Sequence, residues 1–130
     1  MKMIFAYPPI YAEIKERFPY VTGRAILFTW GNILYNPRRI KVSEELHVHE
    51  AVHSVCQGER VREWWRSYMG NPEFRLEQEG LAHKAEFNEY CKRHGRPKDR
   101  ERALDAIAHR LASPLYGAMI SVEQARRIIA

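Results

Sequence analysis

The segment that most restricts the fold of this chain runs from Ser43 to Gly58. Ser43 is a typical helix N-cap, and the two glutamates that follow it suit the positive end of a helix dipole. Gly58 is a typical C-terminal stop. Inside this helix His49 and His53 are four residues apart, so both imidazoles project from one face. The sequence therefore predicts a helix that carries two neighbouring histidines near its middle.

The residue after the first of these histidines is Glu50, which lies about 100° around the helix from it. Two imidazoles one turn apart can reach a single zinc ion at about 2.0–2.1 Å. A glutamate beside the first ligand can act as a general base on a water held by the metal. The alternative is a helix with two partly buried histidines and a surface glutamate. His47 points to the opposite side and is not expected to bind the metal.

A catalytic zinc site needs a third protein ligand and an open position for water. The next long helix can supply the ligand: it begins at Asn71-Pro72-Glu73, which read as N-cap, first-turn proline and first-turn acid, and ends near Gly95. Glu79 and His83 are four apart on this helix and share a face. Helix geometry favours Glu79 as the third ligand and leaves His83 open as an alternative. It also allows a simple ion pair between Glu79 and Arg75, with no metal involved.

Residues around the ligands are harder to assign from the sequence. A ligand histidine usually gives its second N–H to a carboxylate or a carbonyl, and Glu86 or a backbone carbonyl could serve. Stabilising the oxyanion of a reaction needs a hydrogen-bond donor. The candidates for that donor are Tyr35, Tyr68, Tyr116 and Arg75.

The rest of the chain predicts a mostly helical α+β fold with one small antiparallel hairpin and five to six helices. The hairpin joins Ala25–Trp30 to Ile33–Asn36 through Gly31-Asn32. No internal repeat or linker divides the chain, so residues 1–130 are expected to form a single domain. Beyond the segments above, the expected elements are a helix at Tyr11–Phe18, a helix at Glu59–Tyr68, a charged connection at Arg96–Arg102, a helix around Leu104–Leu111, and a final helix opened by the capping box Ser121–Gln124.

The composition bears on the cellular compartment and the partners that we expect for this protein. No apolar run is long enough to span a bilayer, and the first residues show no signal-peptide pattern, so we expect a cytoplasmic protein. The two cysteines, Cys56 and Cys91, do not form a Cys-x-x-Cys pair and are expected to be free thiols. A net charge of +5 permits weak attraction to nucleic acid, although an ordinary solvated surface is the favoured explanation.

Several of these motifs together resemble the compact zinc metallopeptidases of phages and prophages, which are similar to gluzincins. The resemblance covers roughly residues 25–90 and extends to the Ser113–Tyr116 ending. It implies a minimal zincin-like domain with a bound Zn²⁺, metal ligands His49, His53 and Glu79, and Glu50 as the base. For a phage-encoded protein it also implies the host-cell cytoplasm. The motifs that carry it are Phe28–Pro37, the HExxH segment His49–His53 with Gln57, Pro72–Arg75 and Glu79–Ala82.

The chain departs from this family pattern at two positions. Cys56 stands where the family often has a second glutamine, a change that affects packing. His83 stands where the family has a tyrosine, and this leaves open a site with four protein ligands, His49, His53, Glu79 and His83. Such a site closes the water position and is structural instead of catalytic.

The leading hypothesis is a zinc-dependent hydrolase of peptide bonds that acts on a peptide or protein substrate. An extended substrate is expected to pair with the exposed edge of the Ala25–Trp30 or the Ile33–Asn36 strand. The alternative is a non-catalytic, zinc-stabilised adaptor that binds a protein or nucleic acid through a basic surface. A metal-dependent nuclease is a third hypothesis, and the presence of only two aspartates argues against it.

Overall fold

The helices follow the caps that the sequence carries. In the computed structural model, which describes residues 1–130, Ser43 accepts a hydrogen bond from the Leu46 N–H, Asn71 caps the long helix, and Ser121 forms its capping box with Gln124. No helix is long and apolar enough to cross a membrane. The six helices are α1 (Tyr11–Arg17), α2 (Glu44–Gln57), α3 (Val61–Gly70), α4 (Pro72–Arg93), α5 (Pro97–Leu111) and α6 (Val122–Ile129), with 3-10 turns at Pro19–Val21 and Pro114–Tyr116. The predicted α+β, mostly helical fold is confirmed.

The sheet has three strands, β1 (Lys2–Ile4), β2 (Phe28–Trp30) and β3 (Ile33–Tyr35), in the order β1-β3-β2. Strands β2 and β3 form the predicted antiparallel hairpin, with Gly31 at a positive φ of 59° in its turn. Strand β1 pairs with β3 in parallel and was not expected. The prediction of an exposed edge at Ile33–Asn36 is therefore wrong, because β1 covers that side of β3.

The prediction of a charged connection at Arg96–Arg102 is also wrong. Helix α5 begins at Pro97, so nearly all of that segment is helical. Proline suits the first position of a helix, and Asp99 suits its first turn. Arginine, lysine and glutamate are themselves good helix formers, so a run of charges does not by itself indicate a loop.

A polar seam, made of buried residues of α2 and α4 that face each other, the hairpin and α3, lies beside two hydrophobic clusters. The first cluster lies under the sheet, α1 and α3 and includes Ile14, Trp64 and Trp65; the second joins α5 and α6. Burying polar groups costs free energy unless each finds a partner, so a continuous buried seam of this kind indicates a functional site. Its buried residues are His49, Glu50, His53 and Gln57 on α2, and Arg75, Gln78, Glu79, His83 and Glu86 on α4.

Candidate metal centre

The two histidines of α2 meet the same carboxylate of α4. Nε2 of His49 lies 3.3 Å from Oε1 of Glu79, and Nε2 of His53 lies 3.2 Å from Oε2 of Glu79. Ligand atoms of a tetrahedral zinc ion with bonds of about 2.0–2.1 Å are themselves about 3.4 Å apart. Each histidine of α2 is thus at such a separation from one oxygen of Glu79, while the three residues whose donor atoms all lie within 4.8 Å of one another are His49, Glu79 and His83.

His83 lies in the same place, one helical turn beyond Glu79. It is fully buried, and one donor atom each from His49, Glu79 and His83 lie within 4.8 Å of one another. Its Nδ1 is 2.6 Å from the backbone carbonyl oxygen of Glu79. Both residues that the sequence left as alternatives for the next ligand are therefore at the site.

Neighbouring side chains hold the candidate ligands in place. Nδ1 of His49 pairs with Oε1 of Glu86 at 2.8 Å, which is the contact expected for a ligand histidine. Arg110 of α5 donates from Nη2 to the other oxygen of Glu86. The hydroxyl of Tyr68 donates to Oε2 of Glu79 at 2.6 Å. These bonds fix the orientation of His49 and Glu79, with Nε2 of His49 directed at the Glu79 carboxylate, 3.3 Å from Oε1.

Three buried polar atoms in the molecule have no hydrogen-bond partner, and all three belong to this site: Nδ1 of His53, Oε1 of Glu79 and Nε2 of His83. Buried polar atoms without partners are rare and costly in folded proteins. A metal ion among these side chains would satisfy the Glu79 oxygen and the His83 nitrogen. The donor set of imidazoles and one carboxylate is also the set that zinc prefers, so the residues fit the ion.

Electrostatics at the site couple His49 to Glu79. Burial acts to lower the pKa of His49, but the adjacent carboxylates of Glu79 and Glu86 outweigh it and raise the pKa to about 10. Burial acts to raise the pKa of Glu79, but the adjacent imidazoles of His53 and His49 hold it well below its usual value. In the metal-free protein His49 is thus a cation beside a carboxylate. A metal ion has to displace that proton.

His83 behaves in the opposite way. Burial and the nearby charge of His49 lower the pKa of His83 to about 3. Its ring is therefore neutral over the physiological range. Neutral imidazole is the form that binds metals.

The expected base is buried and oriented by the hairpin. The hydroxyl of Thr29 in β2 donates to Oε2 of Glu50 at 2.6 Å. The hairpin itself is tied to α2, because Gln57 donates to the Thr29 carbonyl at 2.8 Å and accepts from the Gly31 N–H at 2.6 Å. Ser54 adds a bond to the Gly31 carbonyl at 2.7 Å.

A cavity of about 210 Å³ opens onto this centre. His49, Glu50, His53 and Glu79 all line it, and most of its other lining residues are apolar. Its outer walls come from the segment 25–28 ahead of and within β2, from Trp64 and Trp65 of α3, and from Leu115 and Tyr116 of the second 3-10 turn. A cavity of this size suits a substrate side chain, and its apolar walls limit access of water.

The four oxyanion candidates have different places in the structure. Tyr35 is absent from the cavity lining and packs against the first hydrophobic cluster. Tyr68 is committed to Glu79. Arg75 packs over Phe18 and donates from Nη1 to the Tyr68 carbonyl at 2.7 Å, so it is structural and forms no ion pair with Glu79. Tyr116 alone has its ring in the cavity with its hydroxyl uncommitted.

The unpaired edge of strand β2 is partly occupied by hydrogen bonds within the protein. The carbonyl of Thr29 accepts from Gln57 and also from the Trp65 indole N–H at 3.0 Å. A substrate strand therefore cannot use this carbonyl. The segment 25–27, which lines the cavity just before β2, belongs to no strand, and its Ile26 N–H bonds to the Arg24 carbonyl at 3.1 Å.

Two residues of the site, Thr29 and Arg110, were not found by sequence reasoning. Thr29 lies 21 positions before Glu50, and Arg110 lies 24 positions after Glu86, so no local spacing connects them. Comparisons of the chain with protein-family models, with curated proteins and with solved structures give no match. The geometry of the site is therefore the evidence on function.

Proposed function

We propose that the protein is a zinc-dependent hydrolase of peptide bonds. The observation that carries the proposal is the position of Glu50, which is buried and held by Thr29 at the wall of a cavity that also contains His49, His53 and Glu79. A purely structural metal site needs neither an oriented carboxylate outside the ligand set nor a cavity in front of it.

The side chains have separate roles in this proposal. Zinc held by His49, His53 and Glu79 would polarise the scissile carbonyl and lower the pKa of a water molecule. Glu50 accepts the proton of the attacking water and passes it to the leaving amine. Tyr116 donates its hydroxyl to the carbonyl oxygen as negative charge develops there. Burial, followed by the nearby Glu79 carboxylate, raises the pKa of Tyr116 well above its usual value, so the hydroxyl keeps its proton.

The substrate contributes one apolar side chain and a short extended backbone segment. The cavity is mainly apolar, and its volume of about 210 Å³ suits a side chain better than a folded partner. Apart from the Ile26 N–H, which bonds to the Arg24 carbonyl, the segment 25–27 offers its backbone groups to an extended peptide. We propose a peptide or an unfolded protein segment as the substrate.

The variant Glu50→Gln tests the mechanism. It keeps the size of the side chain and an oxygen for the Thr29 hydroxyl, but it cannot accept a proton at neutral pH. Hydrolysis of a dye-labelled unfolded protein is expected to fall by about 10²–10⁴-fold, with zinc content by elemental mass spectrometry unchanged. Glu45→Gln on the same helix is the matched control, since Glu45 lies outside the cavity of the site. A zinc-loaded Glu50→Gln protein with full activity would overturn the proposal.

We also propose a cytoplasmic location, in the host cell if a phage encodes the chain. Both cysteines are free, and Cys56 is exposed. An exposed thiol is stable in a reducing compartment and prone to oxidation outside it.

A zinc-stabilised adaptor is the second candidate function, favoured by the presence of His83 as a fourth donor. The basic surface that such an adaptor would use is smaller than the net charge of +5 suggests, because several arginines are already paired. Arg93 pairs with Glu89, Arg96 pairs with Asp99, and Arg100 donates to backbone carbonyls. The adaptor predicts zinc-dependent folding and no effect of Glu50→Gln on binding or activity.

A further inference from the structure

We propose that His83 is a fourth protein ligand of the metal in the resting protein, and that it keeps the site closed to water. This proposal rests on the metal site of the proposed function and adds a control on that site. It concerns a residue of α4 that is not one of the three ligands assigned above.

The first observation is the hydrogen bond of the His83 ring. Nδ1 lies 2.6 Å from the carbonyl oxygen of Glu79. A carbonyl can only accept, so the proton of the neutral ring is on Nδ1, and Nε2 carries a lone pair. A ligand histidine is commonly held in this way, with one nitrogen on a backbone carbonyl and the other on the metal.

The second observation is that Nε2 of His83 has nothing else to bind. It is buried without any hydrogen-bond partner, and the whole residue has 0% of its surface exposed. A donor atom of His83 lies within 4.8 Å of donor atoms from both His49 and Glu79. The ring of His83 lies 4.7 Å from that of His49 between centroids, so the ion that His49 and Glu79 would hold is the partner that this proposal gives to the lone pair.

Other histidines of the protein make the same backbone bond without the enclosed nitrogen of His83. Three other histidines, His47, His94 and His109, bond Nδ1 to the carbonyl four residues earlier at 2.8–3.0 Å, as His83 does. None of the three is buried, and none has a buried unpartnered nitrogen. Their free nitrogens can reach water, whereas that of His83 cannot. The bond to the helix backbone is thus an ordinary histidine conformation, and the enclosed Nε2 is the unusual feature.

Coordination by His83 has a consequence for the proposed hydrolase. With four protein ligands in place, the position that water takes in a catalytic zinc site is filled. Hydrolysis then requires His83 to leave the metal. A variant without the imidazole is expected to bind metal more weakly and to hydrolyse peptides faster at saturating zinc.

The direct test uses wild-type protein loaded with ¹¹³Cd²⁺ and labelled with ¹⁵N at histidine. Scalar coupling between cadmium and ring nitrogens identifies each ligand histidine by NMR. We expect couplings at Nε2 of His49, His53 and His83. Couplings confined to His49 and His53 would overturn the proposal, and this measurement does not depend on any variant folding.

The variants His83→Phe and His94→Phe give the second readout. Phenylalanine replaces the ring in each case, and His94 is the matched control because it makes the same backbone bond outside the site. Competition with a chelator is expected to show a loss of zinc affinity of about ten- to a hundredfold for His83→Phe and none for His94→Phe. Equal affinity in all three proteins would contradict the proposal.

The two proposals fail separately. If His83 shows no coupling to cadmium but Glu50→Gln abolishes hydrolysis, the hydrolase stands and the closed resting site is wrong. If His83 is coupled and Glu50→Gln has no effect, the fourth ligand is correct and the hydrolase is wrong. If no histidine nitrogen is coupled to cadmium, both are overturned.

Discussion

The hydroxyl of Thr29 and the carboxylate of Glu50 are joined by a hydrogen bond of 2.6 Å between Oγ1 and Oε2. Both residues are buried, and they come from different elements, β2 and α2. The Gln57 side chain joins these elements, because it donates to the Thr29 carbonyl and accepts from the Gly31 N–H. The orientation of the proposed base is therefore set by the hairpin as much as by its own helix.

Replacing Thr29 by valine is expected to lower kcat by about tenfold with zinc content unchanged. Valine keeps the β-branched shape that suits a strand but removes the hydroxyl, and a hydrogen bond to a charged group is worth about 1.5–3 kcal/mol. The measurement is steady-state hydrolysis beside elemental analysis. Thr22→Val, at an exposed position, is the control. A Thr29→Val protein with wild-type kcat would show that Glu50 needs no support from the hairpin.

Replacing Tyr68 by phenylalanine is expected to weaken metal binding. The Tyr68 hydroxyl donates to Oε2 of Glu79 at 2.6 Å, and losing such a support for a ligand typically costs about 10–100-fold in metal affinity. Chelator competition measures the effect. Tyr20→Phe, at an exposed position, should bind zinc like the wild type. Unchanged affinity in Tyr68→Phe would mean that Glu79 is oriented by the metal alone.

Local signals in the sequence predicted the helices of the site well. Ser43 and Gly58 delimit α2, and Asn71 with Pro72 opens α4, because caps and first-turn residues act within a few positions. Spacing of four residues then placed Glu79 and His83 on one face of α4. Spacing does not say what this face packs against. The contacts of Glu79 with His49 and His53 come from the packing of α4 on α2.

Contacts between distant segments were not predictable in the same way. Strand β1 is three residues long and pairs in parallel with β3, so it has neither a hairpin turn nor an alternating pattern to reveal it. Arg110 was assigned to an ordinary helix, yet it reaches Glu86 on a different one. Such pairs depend on how helices pack, and a single sequence carries no signal for that.

Replacing Glu86 by glutamine is expected to weaken zinc binding by about tenfold, because the amide holds the Nδ1 side of His49 less strongly than a carboxylate does. Arg110→Met should have a smaller effect in the same direction, since it removes the donor to Glu86 and leaves the carboxylate in place. Zinc competition again measures both. Glu101→Gln is the control, as its exposed carboxylate pairs only with Arg126. A stronger effect from Arg110 than from Glu86 would contradict this order.

The stability of the metal-free protein is expected to pass through a maximum near pH 6.5. The pKa of His49 is raised from 6.5 to about 10, so the stabilisation it provides is complete below pH 6.5 and is lost as the pH rises toward 10. The pKa of His83 is lowered to about 3, so the unfolded chain takes up a proton that the folded protein does not as the pH falls below 6.5. The lowered pKa of Glu79 acts in the same direction at still lower pH.

Urea unfolding in the presence of a chelator, followed by tryptophan fluorescence, measures this dependence between about pH 5 and pH 9. The curve of unfolding free energy against pH should have an acid limb below its maximum and an alkaline limb above it. Each limb should have a slope of about 1.4 kcal/mol per pH unit, which corresponds to one proton. In His83→Phe the acid limb should flatten while the alkaline limb remains, because only the latter belongs to His49. His109→Gln, at an exposed position, should leave both limbs unchanged. A free energy of unfolding that rises steadily from pH 6.5 to pH 9 would show that His49 is not held as a cation by Glu79 and Glu86.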